Sequence, residues 1–324
     1  MKPIFTCKAN GNDITRVLAD RLIGLRVTDE AGFRSDRAEF KLDNRDNSLS
    51  VPTKQTLLSI TLGYENRETV FTGTYTVDEV ELSGPPRQLT IRSKAANMRK
   101  MLKAPRSQSW HGLTIGEIVQ EIAGNNLYKA LVKEPLASVL ISHIDQTEES
   151  DMHFLTRLAL EHGAIFKPAN GFLLFREKDD PKTFSGLIKP PVILDVADML
   201  NWRYSSIDRS RYQAVRARWR DTAANADVFV TAGSGDPAYT LRHSYADADQ
   251  AAAAARAKLA ALARGAATLE VTVSGLPGAS AETALRVAGL HPAVDTAEWV
   301  MNKVTHEMTA AGFVTSINAE VKKR

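Results

Sequence analysis

The stretch that decides the fold is HIDQTEESDMHFLTRLALEHG, residues 143–163. Its first half is polar and predicts a turn. Its second half predicts an amphipathic helix, because apolar residues recur at helical spacing and mark one buried stripe, made of Met152, Leu155, Leu158 and Ala159. The oxygen-bearing side chains that can cap the first helical turn, where unpaired N–H groups favour acceptors, are Glu149, Ser150 and Asp151. Gly163 follows as the expected stop of this helix.

The segments on either side of this stretch predict a mixed domain over residues 101–190. After the stretch, residues 164–175 predict two strands joined by a turn. Before it, Thr114 and Glu117 form a capping-box pattern at the start of another helix. The apolar face of that helix consists of Ile115, Ile118, Val119 and Ile122. Two helices and a strand hairpin in one segment indicate an α+β arrangement.

Residues 1–100 predict a domain made mostly of strands. Apolar and polar residues alternate, with turn-forming residues between the runs, in segments 4–9, 22–29, 37–43, 57–64, 70–82 and 88–93. Strands and turns this regular predict a small barrel or sandwich. Gly73 lies inside one of the strands, and an interior glycine usually marks a bulge or a close approach of another backbone.

Residues 191–324 follow a proline-containing linker and predict a second barrel with one covering helix. The strands are predicted at 212–221, 228–232, 269–275, 285–289, 299–308 and 313–321. The helix is predicted at 248–264, with Asp247 or Asp249 as its cap. Its alanine content would allow it to pack closely on a sheet.

One face of the strand at 212–221 carries three arginines, Arg216, Arg218 and Arg220. Two interpretations are open. The arginines could form a basic patch for a polyanion, or they could pair with carboxylates on neighbouring strands or across a subunit contact. The second interpretation is the favoured one.

The composition is that of an ordinary globular protein, with 324 residues, 44% hydrophobic and 24% charged. This length allows two or three domains. The net charge is only +3 and the basic residues are spread along the chain, which argues poorly for nucleic-acid binding. The single cysteine, Cys7, excludes an intramolecular disulfide and fits a reducing compartment. Because no signal pattern or membrane-length apolar run is present, we expect synthesis in the cytoplasm and no membrane insertion.

No pattern in the sequence is typical of an active site, so we expect no catalytic residues, no metal and no other cofactor. The seven histidines show no metal-ligand spacing, and the Gly-x-Ser-x-Gly elbow of hydrolases is absent. The glycines at 233–235 lack the context of a phosphate-binding loop. Carboxylate pairs such as Glu148 and Glu149 occur, but the sequence alone does not place two of them across a cleft.

The central motif resembles that of the phage late control D family. The resemblance is carried by DQTEESD at 145–151, by FLTRL at 154–158 and by the glycine before the hairpin. The pattern Thr-x-x-Glu-Ile-Val at 114–119 and the Phe-x-Gly strand at 71–73 support it. The residues for which this resemblance implies a motif or assembly role are Gly73, Asp145, Gln146, Glu149, Ser150, Asp151, Phe154, Leu155, Arg157, Leu158 and Gly163.

This family contains the baseplate hub of contractile phage tails and is similar to the hub part of type VI secretion VgrG proteins. The resemblance implies a β-rich α+β fold, in which two tail-tube-like β-barrel domains, 1–100 and 191–324, flank a middle α+β domain, 101–190. A weak internal echo between 70–93 and 299–321 fits two such barrels. The implied function is structural. A homotrimeric ring would join the hexameric tail tube protein to the trimeric spike protein, and would contact other baseplate proteins in a virion or tail-like particle.

Three alternatives remain beside this reading. The chain could be the hub part of a type VI secretion-like spike, although we expect a separate hub because no triple β-helix repeats follow the second barrel. It could be a DNA-binding late-gene regulator, but no helix-turn-helix, zinc motif or clustered basic face supports specific nucleic-acid binding. It could be a peptidoglycan hydrolase, although we expect the chain to have no spare length for a fused lytic domain.

Overall fold

The structure of the protein, a computed structural model, describes residues 1–32, 35–95, 100–169, 171–178, 189–206, 212–264 and 267–322. The chain divides into two compact units. Unit 1 comprises Met1–Asn97, Pro190–Tyr204 and Leu269–Ala319, and unit 2 comprises Met98–Lys189, Ser205–Thr268 and Glu320–Arg324. Each unit therefore combines segments that are far apart in the sequence. The expected three-domain division stays a prediction.

The strands, in chain order, are β1 (Pro3–Ala9), β2 (Asn12–Asp13), β3 (Leu22–Glu30), β4 (Arg37–Asp43), β5 (Leu57–Tyr64), β6 (Val70–Ser83), β7 (Gln88–Lys94), β8 (Pro105–Thr114), β9 (Lys129–Val132), β10 (Leu140–Ser150), β11 (Ala164–Ala169), β12 (Phe172–Glu177), β13 (Val192–Asp195), β14 (Met199–Ser206), β15 (Ala214–Asp221), β16 (Ala226–Gly233), β17 (Ala238–Tyr245), β18 (Ala267–Ser274), β19 (Ala284–Ala288), β20 (Trp299–Thr309) and β21 (Gly312–Val321). The helices are α1 (Thr15–Ala19), α2 (Lys100–Lys103), α3 (Ile115–Asn125), α4 (Asp151–Glu161), α5 (Ala248–Arg264) and α6 (Pro292–Asp295). The expectation of a β-rich chain is confirmed. Within the described ranges, none of the helices is long and apolar enough to cross a membrane.

Unit 1 is built on one 13-stranded sheet in the order β14-β18-β21-β20-β3-β4-β7-β6-β5-β1-β2, and β13 pairs with β19, which also pairs with β20. The N-terminal and C-terminal segments meet where β20 pairs antiparallel with β3, from Lys303 opposite Glu30 to Thr309 opposite Gly24. No sheet in the described part of the chain closes on itself. Most strands expected in the two barrels therefore belong to one open sheet, whereas the strands expected at 212–221 and 228–232 belong to a separate sheet of unit 2. The two-barrel arrangement stays a prediction.

Alternating residues place one face of this sheet in an apolar core. In β3, Leu25 and Val27 are buried, whereas Arg26 between them is exposed, because successive strand residues point to opposite faces. Met308 and Phe313, from the hairpin of β20 and β21, belong to the same core as the N-terminal strands. The two segments of unit 1 therefore share both a hydrogen-bonded ladder and a core.

The described residues of unit 2 form three smaller sheets, β8-β10, β11-β12-β9 and β16-β15-β17. The first two sheets and helices α3 and α4 surround one core, whose fully buried members include Trp110, Ile118, Ile122, Phe154, Leu158, Phe166 and Phe175. Helix α5 covers one face of the third sheet, where Ala251 and Ala255 pack with Val215 and Ala217. The small alanine side chains let this helix lie close to the strands, as expected.

Residues 143–150 are the end of strand β10 rather than the predicted polar turn. β10 pairs antiparallel with β8, with Ile144 opposite Trp110, and the sequence pattern did not predict β8. A register shift interrupts the pairing between Gln146 and Glu149, and the pairing then continues to Ser150, directly before α4. The turn prediction was wrong because the partner strand lies before helix α3 and cannot be identified from local polarity.

Several predictions about helix ends are confirmed. Thr114 and Glu117 form both hydrogen bonds of the capping box of α3. Helix α5 occupies 248–264, and the Asp247 carboxylate accepts a hydrogen bond from the Gln250 N–H at 2.8 Å. The predicted hairpin after the motif is formed by β11 and β12. Local polar signals therefore located the helix boundaries well.

Candidate functional site: the motif network

Helix α4 is fixed at both ends by residues of the motif. The Ser150 hydroxyl accepts a hydrogen bond from the His153 backbone N–H at 3.2 Å, so Ser150 is the N-cap among the three candidates. Gly163 has a φ of +63°, the left-handed conformation that commonly follows a helix and that glycine adopts without strain. The chain can therefore turn directly from α4 into strand β11.

Asp151 is the centre of a buried polar cluster. It is 3% exposed. Its Oδ2 accepts a hydrogen bond from the Asn126 amide at 2.8 Å, and its Oδ1 accepts one from the Gln146 amide at 2.9 Å. The Arg106 Nε lies 2.6 Å from the same Oδ1 as an ion-pair contact. Because these partners come from β8, the end of α3 and β10, one carboxylate fastens three elements to α4.

A second ion pair joins the end of β10 to the middle of α4. The Arg157 Nη2 donates to Glu149 Oε2 at 2.8 Å and to the Asp145 carbonyl oxygen at 2.7 Å, and its Nη1 donates to Glu161 at 3.4 Å. Burial lowers the pKa of Arg157, but its hydrogen bond to Glu149 and the nearby carboxylates outweigh this and leave the pKa raised. Burial raises the pKa of Glu161. The guanidinium therefore stays charged and holds the bulged strand against the helix.

The apolar side of the motif continues this cluster into the core. Leu155 and Leu158 are fully buried, as the predicted stripe requires. The rings of Trp110 and Phe154 stack with centroids 5.8 Å apart. Arg106 lies over the Trp110 ring at 6.0 Å, and Arg157 lies over the Phe154 ring at 5.3 Å. The two arginines of the ion pairs thus also cover the aromatic pair.

Asp145 is the motif carboxylate that faces water. It accepts a hydrogen bond from the Ser109 hydroxyl at 2.6 Å, which together with His143 lowers the pKa of Asp145. His143 lies 3.3 Å from this carboxylate, and its Nδ1 lies 3.0 Å from the Nδ1 of His111. Among the described residues, no group of three or more potential ligands could hold a metal ion.

Gly73 lies in unit 1, apart from the other motif residues, which all belong to unit 2. The expected bulge is confirmed, because β6 shifts register against β5 between the pairs Ile60–Gly73 and Thr61–Phe71. Gly73 has a φ of +143°, where a residue with a side chain would be strained. The assembly role of Gly73 and of the other motif residues stays a prediction.

The sequence did not indicate the two other residues of the network, Arg106 and Asn126. Arg106 lies on the unpredicted strand β8, and Asn126 follows the end of α3. A possible signal for Asn126 was its position as a C-terminal cap residue, where a side-chain amide can bond the last carbonyls; its Nδ2 indeed donates to the Ile122 carbonyl at 2.9 Å. Arg106 offered no comparable local signal.

The network as a whole is an arrangement for holding chain segments together. The carboxylates of Glu149 and Asp151 are occupied by guanidinium and amide donors. A buried charge satisfied in this way is costly to disturb. The network therefore stabilises the fold of unit 2.

Comparison with known proteins identifies the family to which the chain belongs. The sequence pattern of the phage tail baseplate hub (GPD) family matches residues 39–312. The chain is 33% identical to the probable baseplate hub protein of Escherichia phage 186, over 99% of this chain and 94% of that protein. The chain therefore belongs to the phage tail baseplate hub family. The predicted function as a baseplate hub, a structural component of the phage tail particle, is confirmed.

Solved structures share this fold at low sequence identity. The 43 kDa tail protein of prophage MuSo2 from Shewanella oneidensis has a TM-score of 0.73 and 15% identity, over 99% of this chain and 98% of that one. The E. coli c3393 protein, a type VI secretion component described as similar to the T4 tail proteins gp27 and gp5, has a TM-score of 0.58 and 12% identity, over 94% of this chain and 74% of that one. The expected fold likeness to type VI secretion proteins is confirmed.

Proposed function

We propose that three copies of this chain form a closed ring that joins the hexameric tail tube to the trimeric spike in the baseplate. A ring of three chains can match a six-fold tube if each chain offers two similar strand-rich segments. In unit 1, the N-terminal segment contributes the antiparallel hairpin β6–β7 and the C-terminal segment contributes β20–β21. The presence of one antiparallel hairpin in each segment supports a match between three chains and a six-fold tube.

The observation that carries the ring proposal is the apolar edge of the unit 1 sheet. Among the described residues, strand β14 lies at the end of the sheet and pairs with β18 alone. Along it, Leu200 and Trp202 are 62% and 40% exposed, and Tyr204 follows on the same face. Edge strands that carry exposed apolar side chains invite pairing with another chain, and monomeric proteins usually avoid them. A contact between subunits would bury this edge.

The ring proposal is tested by measuring the mass of the purified chain in solution by light scattering. The expected mass is three times that of the 35.5 kDa chain. The double variant Leu200→Glu with Trp202→Glu should lower the mass to that of one chain and keep the circular dichroism spectrum of the native fold. Val17→Glu, at another exposed apolar position of unit 1, should leave the trimer intact. A wild-type chain that stays at the single-chain mass over a wide concentration range would overturn the proposal.

We infer the partners from the same role. They are the tail tube protein, the spike protein and other baseplate proteins, and the chain is made in the bacterial cytoplasm before it enters the particle. The motif residues act on assembly by fixing the fold of unit 2, and the chain carries no catalytic activity of its own. Mixing the purified chain with its cognate spike should give a complex of defined stoichiometry, and recovery of the two proteins as separate species would argue against this partner.

A second candidate is the hub of a type VI secretion-like spike, supported by the fold shared with the E. coli c3393 protein. The two functions differ in whether the spike is a separate chain. Binding of this chain to a separately encoded spike supports the phage tail, and failure to bind any separate spike supports the secretion particle. The late-gene regulator is distinguished by salt-dependent binding to duplex DNA at physiological ionic strength, which the hub function does not require.

A further inference from the structure

The outer face of the third sheet of unit 2 carries a cluster of basic side chains, here called the arginine face. Helix α5 covers the other face of the same sheet. On strand β15, Arg216 is paired with Thr231 of β16, Arg218 with Phe229, and Arg220 with Asp227. The arginine face consists of Arg216, Arg218, Arg220, Asp227, Phe229 and the exposed Arg242, which lies on β17 between Thr240 and Ser244, the partners of Arg216 and Arg218.

The favoured interpretation of the β15 arginines, pairing with carboxylates, holds for only part of this face. Asp227 lies 3.2 Å from Arg220 and 3.9 Å from Arg218. In the described part of the chain, the side chains of Arg216 and Arg242 make no ion pair or hydrogen bond, and the buried Nε of Arg218 has no hydrogen-bond partner. Four arginines and one aspartate leave a formal charge of +3 on this face.

The spacing of the face matches an extended acidic segment. Alternate residues of one strand lie about 6.6–6.8 Å apart, so the β15 arginines form a row with that interval. Asp or Glu residues at alternate positions of another extended chain repeat at the same interval. Phe229, 54% exposed beside Arg218, adds an apolar contact. Arginine and aromatic side chains are the residues that most often anchor protein interfaces.

We propose that the arginine face binds an extended acidic segment of a partner protein in the tail, with its carboxylates on the arginines and an apolar residue on Phe229. The choice of a protein partner rests on the proposed assembly role. Single-stranded nucleic acid fits less well, because such surfaces stack successive bases on several aromatic rings. Within the described residues, Phe229 is the only aromatic ring on this face.

The test uses the full chain and a labelled synthetic peptide of alternating glutamate and threonine with one central leucine. The double variant R216Q/R220Q should weaken peptide binding about tenfold or more, as loss of paired interface charges does. F229A should weaken it severalfold. The matched control R256Q/R286Q removes the same charge at two exposed positions outside the face and should change affinity less than twofold. The same peptide with glutamine in place of glutamate should not bind.

Three results would overturn the inference. They are no binding of the acidic peptide to the wild-type chain, equal weakening by the two double variants, and tighter binding of an oligothymidylate than of the peptide. The last result would assign the face to nucleic acid. The mass of each sample is measured alongside. A single-chain mass with selective peptide binding would refute the proposed ring but not the proposed binding at the arginine face. A trimer that does not bind the peptide would refute the binding at this face but not the ring.

Discussion

Unit 2 contains two charged clusters that differ in how their charges are compensated. In the motif network, Asp151 is buried and receives hydrogen bonds from Asn126 and Gln146 and an ion-pair contact from Arg106. On the arginine face, one aspartate serves two arginines, and the described structure gives Arg216 no partner. In the first cluster the Asp151 carboxylate is paired and stabilises the unit, although among the described residues Arg106 Nε and Nη2 have no hydrogen-bond partner. The second is open, and its charges remain available to another molecule.

This comparison separates charges that build the fold from charges that recognise a partner. Removing one member of a buried ion pair leaves the other charge unpaired at a poorly solvated site and costs about 3–5 kcal/mol. Removing an exposed charge costs about 0–1 kcal/mol, because water replaces the lost partner. Stability measurements should therefore distinguish the two clusters without any binding partner.

The largest effect is expected for Asp151→Ala. It leaves Arg106 and two amides without their shared acceptor, and should lower the free energy of unfolding by about 3–5 kcal/mol. Urea denaturation monitored by circular dichroism measures this loss. The matched control, Asp227→Ala on the arginine face, should cost less than about 1 kcal/mol. Equal losses for the two variants would show that burial does not separate the clusters.

The next effect concerns the coupling between Glu149 and Arg157. A double-mutant cycle with Glu149→Gln and Arg157→Met should give a coupling energy of about 1–3 kcal/mol, because the two side chains share two hydrogen bonds at a largely buried site. The same cycle on Asp227 and Arg220 should give less than about 1 kcal/mol. A Glu149–Arg157 coupling near zero would remove this pair from the network.

Unit 1 also contains a buried ionisable side chain, that of His306. His306 lies 3.0 Å from the Thr315 hydroxyl and 3.1 Å from the Ala279 carbonyl oxygen, and burial lowers the pKa of His306. The unfolded chain then binds a proton near its ordinary pKa of about 6.5 that the folded chain does not. Stability from this residue is therefore complete above that pH and falls as the pH drops below it.

His306→Gln should flatten the dependence of unfolding free energy on pH between the folded and unfolded pKa values, although it also lowers stability at neutral pH. Urea denaturation at a series of pH values compares this variant with the wild-type chain. An unchanged slope in His306→Gln would mean that another group causes the acid sensitivity.

The smallest effect is expected on the arginine face. R216Q and F229A should change the free energy of unfolding by less than about 0.5 kcal/mol, since both side chains are exposed. Thermal unfolding followed by circular dichroism would detect a larger change. A clear loss of stability in R216Q would show that this arginine has a structural role.

The sequence predicted those features that depend on residues close together along the chain. Thr114 was identified as a helix cap and Ser150 as one of three candidates, because the oxygen of a cap lies next to the N–H groups it serves. Strand alternation likewise located most strands of unit 1. The network around Asp151 was not predictable in this way, since Arg106 and Asn126 reach it from strand β8 and the end of α3.

The continuous sheet of unit 1 could not be predicted for the same reason, because its strand order depends on residues that are far apart in the sequence. The pairing of β3 with β20 joins Glu30 to Lys303 and depends on which edges meet after folding. Periodicity gives the buried face of each strand but not its neighbour. Similarly, the three β15 arginines were visible in the sequence, whereas the location of Asp227 opposite only one of them came from the register of β16.

The proposed three-fold ring is tested most directly by electron microscopy of the purified chain. Class averages should show a ring with three-fold symmetry and a central opening, alone or after addition of the cognate spike. Single chains or two-fold dimers under both conditions would contradict the proposed joining of tube and spike.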